Sequence, residues 1–305
     1  MSKIQWTEKT WNPIVGCSKK SEGCQNCYAI NQAYRMQAMA GGLEAQGKNS
    51  GRIGAYKELT EKRGDRLEWT GLVRFVPEAL EIPLKRKKPT VYFVNSMSDI
   101  GHELVEDEWL DQIFEVMLNT PQHQYLILSK RPEKLLIWVV RMRNQMFRKG
   151  IPNFVLPNVR LGITAENQKA WDKRSPDLNA IAEKGWKTMV SFEPLLGSID
   201  LDYFDAQSAI KAGLPDLEFG TDYLEGCWGI VGGESGHGAR EHHCEWSVQL
   251  LEQFEMTGII PFQKQLGSNA FYKGDRLKTK DKKGGDISEF PPKLQIREYP
   301  LEMNK

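Results

Sequence analysis

The chain has 305 residues, of which 40% are hydrophobic and 27% charged, as in a globular protein with a sizeable core. Its 41 Lys and Arg residues nearly balance its 40 Asp and Glu residues. The formal net charge of +1 excludes a protein that coats nucleic acid through overall charge, although it leaves room for a local basic groove. No apolar run reaches the length of a membrane span, and the first residues lack a signal-peptide layout. We therefore expect a cytoplasmic protein with no membrane partner.

Six short apolar segments recur along the chain at the spacing of βα units. Each segment is a continuous apolar run, as expected for parallel strands that are covered on both faces. Apolar stripes between them predict helices around residues 110–117, 135–140 and 246–254. The six predicted strands are residues 91–94, 125–128, 159–163, 188–192, 228–231 and 259–262.

Polar or charged residues follow nearly every predicted strand directly. In a βα barrel these strand ends converge on one mouth, whereas an open sheet spreads them along an edge. We therefore predict an α/β fold with a barrel, complete or incomplete, over residues 1–266. Residues 41–90 are expected to form an insertion or a strand-poor lateral segment, and residues 267–305 a basic loop and tail. For Ser98, Asp99 and Thr164, a role as helix caps is an equal alternative.

The strongest chemical signal is a cysteine cluster, since three of the five cysteines fall within eleven residues. Cys17, Cys24 and Cys27 have the spacing C-x6-C-x2-C, and a helix pattern begins at the last of them. An odd and clustered set argues against a disulfide scaffold and for a metal site in a reducing compartment. Closed structural zinc sites use four ligands, whereas a [4Fe–4S] cluster on three cysteines leaves one iron open to a substrate or cofactor.

Two alternatives to an iron–sulfur cluster on these three cysteines stay open. A zinc ion on the three cysteines could be completed by His102, His242 or His243, and the three cysteines could also be unligated. The two remaining cysteines lie far away in sequence. We expect Cys227 to be a core residue before a strand, and we expect the segment His242–Cys244 to be a surface cluster before a helix.

The segments around these features resemble the phage-associated three-Cys-motif proteins, which are similar to radical S-adenosylmethionine enzymes. The resemblance covers roughly residues 5–267 in the same order. The cysteine spacing departs from the C-x3-C-x2-C of the wider superfamily, and His237 stands where a proline is often found. The matching segments are Trp11–Pro13, Gly16–Cys17, Gly23–Ala29, Phe75–Glu78, Phe93–Asp99, Ser129–Pro132, Phe192–Gly197, Gly232–Gly236, Ala239–Arg240 and Lys264–Gln265.

The resemblance implies a partial (β/α)6 barrel whose first strand precedes the cysteine loop, here near residues 4–6 or 14–15. It implies a [4Fe–4S] cluster on Cys17, Cys24 and Cys27, and S-adenosylmethionine on the open iron. With an external electron donor, reductive cleavage of this cofactor yields a 5′-deoxyadenosyl radical. For a phage-encoded protein, the expected location is the host cytoplasm.

Four kinds of contact with S-adenosylmethionine follow from this resemblance. Tyr28 is the candidate for the adenine, and Lys130 or Arg131 for the carboxylate. Ser96 or Asp99 is the candidate for the amino group. The ribose hydroxyls would take Glu166, Asn167 or Asn95, and the pair Gly232–Gly233 would let backbone approach the ligand closely.

The remaining charged residues at strand ends, Glu193, Glu234, Arg240 and Lys264, are candidates for substrate, with structural ion pairs as the even alternative. Two basic blocks, at residues 85–88 and 273–283, are typical of solvated surface and would also suit a phosphate backbone that flanks an active site. Family context suggests an isomerase that rearranges an amino-acid adduct on thymine in DNA, with Lys264 or Arg240 holding the adduct's carboxylate. The modified base would have to be flipped out of the duplex.

Three function classes therefore remain open. The first is a radical S-adenosylmethionine enzyme on DNA or a nucleotide, and the second is such an enzyme on a small molecule or peptide. The third is a zinc module that binds nucleic acid without catalysis, which would not require polar residues at six strand ends.

Overall fold

The computed structural model describes residues 4–201 and 221–303. The chain divides into two compact units, Met1–Leu161 and Gly162–Lys305. The larger helices are α1 (Tyr28–Ala45), α2 (Glu81–Lys85), α3 (Asp107–Leu118), α4 (Pro132–Arg148), α5 (Gln168–Ala182) and α6 (Cys244–Thr257). Short 3-10 helices occur at Glu22–Cys24, Gly51–Tyr56, Pro77–Ala79, Thr221–Leu224, Ile287–Glu289, Pro292–Leu294 and Leu301–Met303.

Among the described residues, the strands belong to one large parallel sheet and three small sheets. These strands are β1 (Lys9–Trp11), β2 (Ile14–Val15), β3 (Thr60–Arg63), β4 (Arg66–Trp69), β5 (Arg74–Phe75), β6 (Val91–Val94), β7 (Gln124–Ser129), β8 (Val159–Thr164), β9 (Lys187–Phe192), β10 (Trp228–Gly232), β11 (His242–His243), β12 (Ile260–Gln265), β13 (Ala270–Tyr272) and β14 (Asp275–Arg276). The large sheet has the strand order β1-β6-β7-β8-β9-β10-β12.

The first unit contains β1, β6, β7 and the beginning of β8. Strand β6 pairs in parallel with both β1 and β7. A separate apolar cluster packs the buried face of α1, including Ile30 and Ala33, against Leu59 and Trp69 around the β3–β4 hairpin. Cys17 and Cys27 pack against this same cluster, so the hairpin supports the cysteine loop through apolar contacts.

The second unit contains the end of β8 with β9, β10 and β12. Strand β10 pairs in parallel with both β9 and β12. Helix α6 covers this part of the sheet, and its Phe254 packs near Phe192 of β9 with 5.7 Å between ring centroids. The result in each unit is a mixed α/β arrangement with parallel strands, which is compatible with a partial barrel.

The six predicted strands and three predicted helices are confirmed, with shifts of up to three residues at the strand ends and longer helices than predicted. Pro132 occupies the first turn of α4, as its fixed φ angle favours. The prediction for the first strand was wrong. The sheet begins with β1 at Lys9–Trp11, whereas Ile14–Val15 pairs antiparallel with β5 in a separate two-stranded sheet.

Two further predictions need correction. Residues 41–90 are not strand-poor, because they contain the β3–β4 hairpin and β5. Residues 267–305 are not only a basic loop and tail, because β13 pairs with β11 and β14 in a three-stranded sheet. Within residues 4–201 and 221–303, no helix is both long and apolar enough to cross a membrane.

Candidate functional site

The cysteine loop joins β2 to α1 in the first unit. Gly16 begins it with a φ of 90°, and a Cβ at this position would collide with the carbonyl group of Leu72. Only glycine therefore fits this turn. Cys24 ends a single 3-10 turn, and Cys27 is the residue that caps α1. The three cysteines are half-buried free thiols.

The buried surroundings of the cysteine loop disfavour ionised thiols unless a positive charge lies beside them. The pKa of Cys17 is raised to about 12, chiefly by burial and also by the charges of Asp99, Cys27 and Cys24, whereas the charge of Arg131 opposes this rise. Burial also raises the pKa of Cys27, although the N–H groups of Ala29 and Ile30 and the charge of Lys130 oppose this. A bound cation would supply the positive charge that three thiolates need here.

The charges of Cys24 and Cys27 raise the pKa of Cys17, so ionisation of one thiol disfavours ionisation of the others. Across the described ranges, no three His, Cys, Asp or Glu side chains are grouped closely enough to hold a metal ion. The chemistry of these donors fits an iron–sulfur cluster, since they are three thiols on one loop that form no disulfide.

Arg131 connects the cysteine loop by hydrogen bonds to the segments that follow β6 and β7. Its Nη2 atom donates to Oγ of Ser18 at 2.8 Å and to the Ser18 carbonyl at 3.3 Å. Its Nη1 atom donates to Asp99 at 3.1 Å, and its Nε atom donates to Glu103 at 3.0 Å. Arg131 is 2% exposed, and all three of its nitrogen atoms are engaged within the first unit. The structure therefore gives Arg131 a supporting role beside Cys17.

Asp99 is equally engaged. Its Oδ1 accepts from the hydroxyl of Ser129 at 2.6 Å and from the N–H of Gly101 at 3.0 Å. Its Oδ2 accepts from the N–H of Lys130 at 3.2 Å in addition to the bond from Arg131. The carboxylate thus organises the segment after β7. Of the two cations proposed for the carboxylate of the cofactor, Lys130 is the one without an ion pair to a described residue.

His102 also reaches the cysteine loop. Its Nδ1 accepts the N–H of Leu104 at 3.2 Å, which leaves Nε2 as the protonated nitrogen that donates to Oγ of Ser18 at 2.9 Å. The residue is 3% exposed, and burial together with the charge of Arg131 lowers its pKa. One of the three histidines considered as a fourth zinc ligand therefore lies beside the loop.

Three further predicted residues follow β6 or begin α1. Asn95 is 3% exposed with a φ of 57°; its Oδ1 accepts from Ile14, whereas its Nδ2 has no described partner. The hydroxyl of Ser96 donates to Asn12 at 3.1 Å. The hydroxyl of Tyr28 donates to the Ser96 carbonyl at 3.0 Å, and the ring is 56% exposed. An aromatic face and an amide donor thus adjoin the cysteine loop.

In the second unit, the two ribose candidates have structural partners. Glu166 is 1% exposed and forms an ion pair of 2.8 Å with Arg174 of α5. The side chain of Asn167 caps α5 by accepting the N–H of Ala170 at 3.0 Å. Since the cap satisfies an otherwise free N–H of the helix, it explains Asn167 without a ligand.

The glycine pair after β10 makes room for protein groups. A Cβ on Gly232 would lie 2.5 Å from Oε1 of Glu193, and a Cβ on Gly233 would collide with the Leu266 carbonyl and the His242 ring. The space beside Gly232 and Gly233, which was predicted to admit a ligand, is therefore occupied by side chains and backbone of the second unit. This packing requires glycine at both positions.

The four substrate candidates form two ion pairs in the second unit. Lys264 of β12 contacts Glu193 at 2.9 Å, and Arg240 contacts Glu234 at 2.6 Å. The second pair is bidentate, because Nε of Arg240 donates to Oε2 of Glu234 at 3.0 Å while Nη2 donates to Oε1. Arg240 and Lys264 retain side-chain exposures of 25% and 18%, so solvent reaches both cations.

Cys227 is fully buried, as predicted. The prediction of a surface cluster at His242–Cys244 was wrong, since His242 and Cys244 are both 0% exposed. The ring of His242 donates from Nδ1 to the Leu266 carbonyl at 2.7 Å, and its Nε2 accepts from Ser247 at 2.9 Å. Burial lowers the pKa of His242 to about 4. Both nitrogens are used, so the ring is a structural element of the second unit.

Sequence reasoning missed Ser18, Glu103 and Arg174 as partners of predicted site residues. Ser18 adjoins a cysteine and Arg174 lies on the helix after Glu166, so their neighbours in sequence offered a signal. Nothing in the sequence indicated that Arg131 would donate to Ser18, from which it is 113 positions away.

The fold and the site define a mixed α/β protein that carries a three-cysteine loop at the start of a helix. Comparison with known families identifies the group. Residues 1–290 match the model of a family described as proteins of unknown function (DUF5131), and the chain belongs to that family. No curated protein and no solved structure matches the chain.

Proposed function

We propose that this protein is a radical S-adenosylmethionine enzyme in which Cys17, Cys24 and Cys27 hold a [4Fe–4S] cluster. The observation that carries the proposal is the loop itself, with three unpaired thiols, a glycine-dependent turn and an aromatic residue at the helix start. When bound, such a cluster supplies an electron for reductive cleavage of S-adenosylmethionine.

The chain's own residues would orient the cofactor. Lys130 supports this role because its charge acts on Cys27 and it has no ion pair with a described residue. A carboxylate beside the cysteine loop would therefore meet a cation. Asn95 supports it through its buried, unpartnered Nδ2 donor, and Tyr28 through its exposed ring. Arg131 and Asp99 would act as positioning residues, since their polar atoms are engaged with each other and with the loop.

For the substrate, we propose an amino-acid adduct on thymine in DNA, with an isomerisation as the reaction. Lys264 or Arg240 would hold the carboxylate of the adduct, and both cations are partly exposed. Each would exchange part of its present ion pair for the substrate. A small molecule or peptide with a carboxylate is the alternative substrate for the same residues.

A zinc module that binds nucleic acid is the second candidate, and one observation favours it. His102 lies at the cysteine loop with Nε2 2.9 Å from Ser18, which would allow a fourth ligand of the type found in closed zinc sites. The sequence C-x6-C-x2-C with one histidine is compatible with such a site.

Anaerobic purification and metal analysis separate the two candidates. We expect about four irons and four sulfides per chain and cleavage of S-adenosylmethionine on reduction. Substitution of Cys17, Cys24 or Cys27 by Ala should abolish the iron, whereas the matched control Cys227→Ala should retain it because Cys227 lies in the core. A colourless protein with about one zinc per chain, lost in His102→Ala, would support the zinc module.

A comparison of S-adenosylmethionine cleavage with and without DNA that contains the modified thymine tests the substrate. We expect the DNA to be converted and to stimulate cleavage. Stimulation by a small carboxylate alone would favour the alternative substrate class.

A further inference from the structure

The second unit presents a concentrated positive surface, which we call the basic loop and define as residues 273–283. It begins at the β13–β14 turn and continues into the following irregular segment. Within the described part of the chain, none of its six cationic side chains forms an ion pair, and all six residues are exposed. They are Lys273, Arg276, Lys278, Lys280, Lys282 and Lys283.

Two carboxylates near these cations, those of Asp281 and Glu289, accept hydrogen bonds from backbone N–H groups. Asp281 accepts the N–H of Gly285 at 2.6 Å and the N–H of Lys283 at 3.2 Å. Glu289 accepts the N–H of Lys280 at 2.7 Å and the N–H of Asp281 at 3.2 Å. These bonds hold the backbone of the basic loop in place and use none of the lysine ammonium groups, of which that of Lys273 lies 5.5 Å from the centroid of the Tyr272 ring. The ammonium groups can therefore meet an external anion.

The other basic block lacks this property. In residues 85–88, Lys85 pairs with Glu81 one turn earlier on α2, and Nε of Arg86 donates to the hydroxyl of Thr90. Arg86, Lys87 and Lys88 form no ion pair with a described residue, although Arg86 is held by its bond to Thr90. The two blocks look alike in sequence, but the basic loop carries twice as many cations without an ion pair.

We propose that the basic loop binds the phosphodiester backbone of a nucleic acid. A duplex carries about one negative charge per 1.7 Å of its axis, and each phosphate that a cation neutralises releases condensed counterions. Six cations without an ion pair within eleven residues, on a backbone held by hydrogen bonds, suit this regular charge and need no base sequence. Phe271 and Tyr272 lie directly before the loop and are half-buried, which adds aromatic surface beside the cations.

This inference deepens the proposed function and rests on its nucleic-acid substrate, because it assigns the contact with the polymer to a surface that contains none of the proposed cofactor or substrate residues. Binding of nucleic acid can be measured without reduction or S-adenosylmethionine. Iron content and cofactor cleavage, measured on the same preparations, therefore distinguish a failure of this inference from a failure of the enzymatic proposal.

The test is fluorescence anisotropy of a labelled DNA duplex of about 20 base pairs, titrated with the full chain at several salt concentrations. We expect log K to fall linearly with log salt. In K278Q/K280Q/K282Q the slope should be shallower by about 2.7, since each phosphate contact contributes about 0.9. The matched control K85Q/K87Q/K88Q removes the same formal charge and should keep the slope of the unaltered chain.

Parallel titrations with single-stranded DNA and an RNA duplex identify which nucleic acid supplies the phosphodiester. Circular dichroism of both variants checks that the exposed substitutions leave the fold intact. Three results would overturn the proposal: no binding by the unaltered chain at low salt, an equal loss of slope in both variants, or displacement of the duplex by polyglutamate at the same charge concentration. The last result would point to an acidic protein partner.

Discussion

The guanidinium group of Arg131 donates a hydrogen bond of 2.8 Å to the hydroxyl of Ser18, the residue directly after Cys17. Because the same guanidinium is paired with Asp99, the cysteine loop is connected to a buried charge network at the ends of β6 and β7. The side chains of Arg131 and Asp99 are 3% and 8% exposed. The position of the first cysteine therefore depends on an arginine that is distant in sequence.

Substitution of Arg131 tests this dependence. Arg131→Met should lower the free energy of unfolding by about 3–5 kcal/mol, because it leaves the buried Asp99 carboxylate without its partner. Urea denaturation measures the loss, and the exposed control Arg148→Met should change stability by less than about 0.5 kcal/mol. Equal stability of the two variants would show that the network does not support the loop.

Lys130 provides a test of the cofactor site. Lys130→Met should weaken binding of S-adenosylmethionine by about 10- to 100-fold, as expected for loss of a charged hydrogen bond to the carboxylate. Equilibrium dialysis with the iron-loaded protein gives the dissociation constant. Lys149→Met, which removes an exposed lysine after α4, serves as the control. Unchanged affinity in Lys130→Met would remove this residue from the proposed site.

The buried ring of His242 predicts a pH dependence of stability. Its pKa falls from 6.5 to about 4 on folding, so the unfolded chain binds the proton first as the pH decreases. The stabilisation from the neutral ring is complete above pH 6.5 and is lost between about pH 6.5 and 4, with a total on the order of 3 kcal/mol.

Urea denaturation at pH 7 and pH 5 measures this effect. The unaltered chain should be less stable at pH 5, and His242→Gln should show a smaller difference between the two values. The half-buried His243 gives the matched control His243→Gln, which should retain the full difference. His102, whose pKa is also lowered, contributes in the same direction in both variants. Parallel pH profiles for His242→Gln and the unaltered chain would contradict the assignment.

The glycine pair after β10 gives a prediction about packing. Gly233→Ala should lower stability by about 1–3 kcal/mol, because the new Cβ would meet the Leu266 carbonyl and the His242 ring. Gly197→Ala is the matched control, since a Cβ at Gly197 has no neighbour within 4 Å. Thermal unfolding of the two variants should differ clearly. A Gly233→Ala protein as stable as the control would show that this space is open to a ligand.

Much of the sheet could be predicted because its central strands are buried on both faces. All six residues of β8 are buried, for example, and such strands appear in the sequence as continuous apolar runs. The first strand was missed because it lacks this burial. In Lys9–Trp11 two of three residues are exposed, so no apolar run marks it, and its pairing with β6 supplies the order that its sequence lacks.

The candidate site was only partly predictable. The spacing of Cys17, Cys24 and Cys27 indicated one loop before a helix, and the structure has that arrangement. The sequence could not show which charged residues form ion pairs with one another, because pairs such as Lys264–Glu193 join positions that are 71 residues apart in the chain. His242 was misplaced at the surface, because three polar or small residues in sequence gave no sign of the Leu266 carbonyl and Ser247 hydroxyl that satisfy it.

The most direct test of the enzymatic proposal is the electron paramagnetic resonance spectrum of the anaerobically reconstituted, dithionite-reduced protein, with and without S-adenosylmethionine. We expect the signal of a reduced [4Fe–4S] cluster, and we expect this signal to change when S-adenosylmethionine is added. The signal should be absent in Cys24→Ala. A protein that binds about one zinc and gives no such signal, or a cluster signal that S-adenosylmethionine leaves unchanged, would contradict it.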